Sequence, residues 1–170
     1  MHEAPGKDEA ATYYFRYIDR VPPGDIVERL ATQLGEAVSV LSAIPEEKSV
    51  HRYAPEKWSM RQLLNHVNDT ERVFLARAFW FARGNDTPLP GFDQDTAAAH
   101  AGAHEISWAS HLADLKAVRG ATVTFFRNLP PDAWMRCGVA SDNPFTVRAL
   151  AFITAGHLDH HLGILRERYF

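Results

Sequence analysis

Four long stretches of this chain repeat their apolar residues every three or four positions, and no stretch alternates convincingly in twos. A period near 3.6 gathers those residues on one helical face, so the spacing predicts an all-α fold. The first stretch follows Pro22-Pro23-Gly24, with Asp25 as its cap, and runs to about Ala43 ahead of Pro45; its stripe is Ile26, Leu30, Leu34, Ala37, Val38 and Leu41. The second starts at Ser59, which pairs with Gln62 as a capping box, and stops near Arg83 before Gly84. The third runs from about Ser107 to Asn128, ahead of Pro130-Pro131. The fourth runs from about Thr146, after Asn143-Pro144, to Arg168. Four helices of roughly 19 to 25 residues most simply make a four-helix bundle. The connection between helices two and three is long, roughly 20 residues, with a short helix expected near Asp95; connections of that length are often functional.

A chain of 170 residues suits a single domain, here taken as residues 1–170 with residues 1–16 as a loose N-terminal tail. The tail is polar and lacks the apolar run of a signal peptide, and no segment reaches the length of a membrane span. Net charge is −3 and no basic tract is present, which argues against a nucleic-acid partner. The single cysteine, Cys137, allows no intrachain disulfide and suits a reducing cytoplasm. It is expected in a loop, with no histidine base near it in sequence.

Nine histidines are the unusual count, and their placement matters more than their number. On the fourth helix the apolar arc holds Leu150, Ile153, Leu158, Ile164 and Leu165, and His157 and His161 fall in its middle, one turn apart. Two imidazoles at i, i+4 can hold one metal ion. They can equally be hydrogen-bonded core residues, and the motif is short enough to arise by chance. His160 falls at the edge of the arc and is a substitute ligand. On the second helix Glu71 sits near the centre of the apolar stripe and His66 towards its rim. A buried carboxylate needs a partner, and a metal or a metal-bound histidine would be one. His2 lies in the tail, His51 in a loop, and His100 and His104 in the long connection; His111 reads as a partly exposed surface or groove residue. Arg52, Arg77 and Arg148 are candidates to receive an anionic substrate, Arg77 first, because it lies three turns beyond His66 on nearly the same face. Trp58, Phe74, Trp80, Phe81, Phe92, Trp108 and Trp134 read mainly as core packing.

Four blocks carry a resemblance: Tyr53-Ala-Pro-Glu-Lys-Trp-Ser59, Leu64-Asn-His-Val-Asn-Asp-Thr-Glu-Arg72, Ala82-Arg-Gly-Asn-Asp-Thr-Pro-Leu-Pro-Gly-Phe-Asp-Gln94 and Ala155-Gly-His-Leu-Asp-His-His-Leu-Gly-Ile-Leu165. Together they resemble the DinB-like (DNA-damage-inducible B) superfamily of metal-binding four-helix bundles, over nearly the whole chain from about Tyr17. The resemblance implies a bundle ordered up-down-down-up and ligands at His66, His157 and His161. It also implies one divalent ion, zinc or nickel, completed by waters, and a homodimer. Its branches include metal-dependent hydrolases and enzymes that use a low-molecular-weight thiol.

A tri-histidine site leaves the metal's charge uncancelled and a position open. Such an ion acidifies a bound water or a bound thiol, so a hydrolase and a thiol transferase acting on a small molecule fit equally. Glu71 is the expected base in the hydrolase. The rival reading is a non-catalytic metal-binding or dimerising bundle, with Glu71 or His160 closing the shell.

Overall fold

The computed structural model describes residues 3–170, so the expectation for His2 lies outside the described residues. The elements are α1 (Phe15–Ile18), α2 (Ile26–Ser42), α3 (Met60–Ala82), α4 (Gln94–His100), α5 (Trp108–Arg127), β1 (Cys137–Ala140), β2 (Asn143–Thr146) and α6 (Val147–Arg168). The four long helices start where side chains satisfy otherwise orphaned backbone N–H groups. The Asp25 carboxylate accepts from the amides of Val27 and Glu28. Ser59 accepts from the Gln62 amide while the Gln62 side chain accepts from the Ser59 amide. Ser107 caps α5 and Thr146 caps α6 in the same way. Asp93 caps the short α4 inside the long connection.

α3 packs on α5 and α6, and α2 packs on the same two helices, which closes a bundle. Two apolar cores fill it. One gathers Leu30, Phe74, Phe81, Phe126, Leu150 and Ile153, the other Leu41, Leu64, Trp108, Leu115, Leu158 and Leu162. A polar layer lies between them, at Gln33 of α2, Glu71 of α3 and Arg119 of α5, all buried. The Gln33 amide donates to the carbonyl of Ala155 on α6 at 2.8 Å, so the layer ties all four helices together.

Two expectations need correction. The chain is not all-α: β1 and β2 pair antiparallel, Cys137 opposite Thr146, and Cys137 therefore sits on a strand, not in a loop. The connecting residues Ser141 and Asp142 have φ of 50° and 60°, the doubly left-handed geometry of a tight hairpin. Such turns usually advertise themselves as Asn-Gly or Asp-Gly, and four-residue strands are too short to show alternation. The hairpin is held from both sides, because the Leu89 amide donates to the Val139 carbonyl at 2.9 Å and the Thr146 amide to the Glu9 carbonyl at 3.0 Å.

The described residues before Tyr17 are not a loose tail. Residues Thr12–Tyr14 form a 3-10 turn leading into α1, Ala10 is buried, and α1 packs on α6. Glu9 pairs with Arg148 and accepts from the Thr146 hydroxyl at 2.8 Å. Gly156 permits the contact: a Cβ there would lie 2.0 Å from the carbonyl oxygen of Tyr17. Four helical residues carry too little periodicity to be read, and their order comes from this long-range packing. Among the described residues no helix is long and apolar enough to cross a membrane.

Candidate metal centre

α3 carries His66 into the bundle and α6 carries His157 and His161, one turn apart. All three are buried, at 5%, 4% and 9% exposure. Their Nε2 atoms converge: His66 lies 3.2 Å from His157, and His161 lies 3.1 Å from the same His157 atom. Aromatic rings enclose the group, with Trp58 against His66 and the rings of Phe74 and Tyr17 edge-on to His157.

Burial fixes the protonation of these rings. Desolvation, then the charge of His160, pulls His66 down to about 4. Desolvation also holds His157 and His161 well below the usual histidine range, with the neighbouring histidines adding to the effect. All three are neutral near pH 7, the form in which imidazole binds metal. With Nε2 as the ligand atom, Nδ1 of His66 would carry the proton and donate to the Thr70 hydroxyl, which lies 3.3 Å away and would orient the ring. Among the described residues, the Nδ1 of His161 is buried with no partner.

Hydrogen bonds alone do not satisfy this arrangement. A ring nitrogen offers one proton or one lone pair, so the Nε2 of His157 can serve only one of its two contacts. The other is left without a well-aimed hydrogen bond. A cation among the three nitrogens satisfies all of them at once. Metal–nitrogen bonds of about 2.0–2.1 Å at tetrahedral angles would separate the nitrogens by about 3.3 Å, close to the 3.2 and 3.1 Å at which His66 and His161 lie from His157. The donor set therefore fits a divalent ion. Among the described residues the metal-capable group holds these three histidines and no fourth ligand.

Glu71 is not part of it. Its two oxygens accept from Arg119 Nε at 2.7 Å and Nη2 at 2.8 Å, and both residues are fully buried. The partner that a buried carboxylate requires is thus a guanidinium, not a metal. Arg119 also donates to the Gln33 side chain at 2.6 Å and to the Leu30 carbonyl at 3.2 Å. His160 stays half-buried outside the cluster, against the rings of Tyr17 and His161. His111, expected in a groove, is buried and donates from Nε2 to the Ala103 carbonyl at 2.9 Å, pinning the long connection to α5. His100 is exposed against the Thr96 carbonyl, and His104 faces Arg52. Arg148 is taken by Glu9.

A recess of about 170 Å³ opens on the cluster, with His66 and His157 in its wall beside Thr70, Phe74 and Arg77. Tyr13, Tyr14 and Tyr17, from the segment expected to be loose, form another wall, and Ser141 reaches in from the hairpin turn. The dense aromatic run from Tyr13 to Tyr17 was the one signal that could have pointed to them. His161 borders a second recess of about 260 Å³, with Trp58 and Tyr169. Desolvation raises the phenol of Tyr169 to about 12 and that of Tyr17 further, so both stay protonated donors.

Comparison with known proteins agrees with this fold. The chain shares its fold with YfiT from Bacillus subtilis, a probable metal-dependent hydrolase with an unusual four-helix bundle topology. The TM-score is 0.70 at 17% identity, over 98% of this chain and 91% of that one. It also matches a mycothiol-dependent maleylpyruvate isomerase, with a TM-score of 0.70 at 12% identity, over 85% of this chain but 61% of that longer one. Among curated proteins, none matches by sequence. The family model of the DinB superfamily matches residues 29–165, from the first long helix through the last histidine, and the chain belongs to that superfamily.

Proposed function

We propose that this protein is a metal-dependent enzyme acting on a small molecule, either a hydrolase or a transferase that uses a low-molecular-weight thiol. One observation carries the reading: three neutral, buried imidazoles converge, with two of them, His66 and His157, in the wall of a recess. A divalent ion held there, zinc or nickel, supplies Lewis acidity that lowers the pKa of a water or thiol entering its open position. The absence of a fourth protein ligand among the described residues supports an open, catalytic shell over a closed structural one.

The chain's own residues have separate tasks. His66, His157 and His161 hold the ion, and Thr70 keeps His66 in the right tautomer. Phe74, Trp58 and Tyr17 exclude bulk water from the nitrogens, which strengthens every charge interaction inside. Tyr17 stays protonated in the recess wall, where its phenol hydrogen-bonds to Tyr13. Glu71 takes no proton in this scheme, because Arg119 already engages both of its oxygens. The same reading includes the up-down-down-up helix order, a homodimer and a cytoplasmic location, the last consistent with a lone cysteine.

The test is a panel assay on metal-loaded protein, with esters and amides in one arm and small thiols with electrophiles in the other. Ester or amide cleavage that chelation abolishes identifies the hydrolase. Thiol-dependent consumption of the electrophile, abolished likewise, identifies the transferase. Turnover that is indifferent to chelation contradicts the reading.

A further inference from the structure

We propose that Arg77 is a carboxylate-binding residue, and that the molecule bound in the recess is a small carboxylic acid reaching from Arg77 to the histidine cluster. This rests on the reading of the cluster as a reaction site, and adds to it a substrate class.

Among the described residues three arginines are buried: Arg61, Arg77 and Arg119. Arg61 pairs with Glu46 and Arg119 with Glu71. Arg77 is 4% exposed, yet no ion pair among the described residues includes it. Its contacts are neutral: Nη2 donates to the Ser141 hydroxyl at 2.8 Å and, weakly, to the Pro90 carbonyl at 3.5 Å, and the guanidinium is also hydrogen-bonded to the Tyr14 phenol. The ring of Phe145 lies 5.9 Å from the guanidinium carbon. A guanidinium stays charged at any physiological pH, and a buried charge without a counter-ion is costly. Proteins rarely keep such a group unless an anion completes it.

The position of this charge gives the anion its place. Arg77 lines the same recess as His66 and His157. It follows His66 by 11 residues on α3, which puts it about 20° away around the helix and about 16 Å along it. The recess between them is what joins the two ends, since Arg77, His66 and His157 all line it. A carboxylate matches the planar fork of guanidinium donors. Ser141 accepts from Arg77, which leaves its hydroxyl proton free for the same carboxylate, and Gln94 offers an amide from α4. At about 170 Å³ the recess is smaller than the ~300–1,000 Å³ typical of drug-sized ligands. The acid is therefore short, with its reacting group at the cluster and its carboxylate at Arg77.

The test uses chelator-treated and metal-loaded full-length protein, with succinate and acetate as carboxylate probes and inorganic phosphate as the competing oxyanion. The side-chain NεH signal of Arg77 in wild-type protein should shift saturably with succinate, and the shift should persist in the chelator-treated sample. Persistence separates this proposal from the metal reading, since a protein that binds no metal would still bind succinate at Arg77. In Arg77→Met the succinate Kd, read by calorimetry, should rise at least tenfold. Its Tm without ligand should hold or increase, because a buried unpaired charge has been replaced by an apolar chain of similar length. Arg77→Lys should recover part of the affinity. No shift of the Arg77 signal in wild-type protein, or tighter binding of phosphate than of either carboxylate, would overturn the proposal. So would a folded Arg77→Met variant with unchanged succinate affinity.

Discussion

Replacing Glu71 with Gln tests whether this carboxylate belongs to the structure or to the chemistry. The side chain is 2% exposed and its partner Arg119 is fully buried, joined by bonds of 2.7 and 2.8 Å. Glu71→Gln keeps the shape but removes the negative charge and turns an amide N–H₂ towards guanidinium donors. Breaking a buried pair from one side costs about 3–5 kcal/mol, mostly because the remaining charge is uncompensated. For a chain of this length each kcal/mol lowers Tm by about 2–4 °C, so a fall of roughly 6–20 °C is expected. Calorimetry gives the Tm, and metal analysis of the same sample should show content equal to wild type. Replacing both Glu71 and Arg119 with Met should cost less than the sum of the two single losses, since contacting residues couple by about 0.5–3 kcal/mol. A Glu71→Gln protein with wild-type Tm but lost turnover or lost metal would refute the reasoning and return Glu71 to the reaction.

Two further outcomes follow from the geometry. In metal-free protein, burial lowers His66 from the ordinary 6.5 to about 4, so on acidification the unfolded chain takes up the proton first. Stability should therefore be full above about pH 6.5 and decline towards pH 4, with His66 alone contributing about 3 kcal/mol and His157 and His161 acting in the same direction. Urea unfolding of chelated protein at several pH values reads this directly, and stability that holds or rises from about pH 7 to pH 5 would contradict it. Gly156→Ala places a methyl 2.0 Å from the Tyr17 carbonyl oxygen, so α1 must move off α6. A loss of about 1–3 kcal/mol is expected, together with a weaker substrate affinity because Tyr13, Tyr14 and Tyr17 wall the recess. An unchanged Tm would contradict the close packing of α1 on α6 at Gly156.

The helix starts were legible in the sequence because each is a local event: Asp25, Ser59, Ser107 and Thr146 bond to amides two or three residues away. His157 and His161 were legible for a similar reason, since one helix sets their spacing and the face they share. His66 was harder, because periodicity placed it only at the rim of its stripe, and its place came from the family resemblance. What stayed hidden is long-range. Nothing near Glu71 in sequence announces Arg119, which lies 48 residues away on α5. The order of the N-terminal segment depends on Glu9 meeting Arg148 and on Gly156 admitting Tyr17. The hairpin depends on Ser141 and Asp142 adopting left-handed backbone that neither residue type signals strongly. His111 looked partly exposed until the Ala103 carbonyl of the long connection folded over it.

The most direct measurement is metal content after reconstitution and desalting, comparing wild type with His157→Ala. The shared Nε2 contact at His157 predicts about one divalent ion per chain in wild type and none in the variant, with helical circular dichroism largely retained in both. Wild-type protein holding less than about a tenth of an equivalent, or a His157→Ala variant holding a full one, would contradict the three-histidine centre.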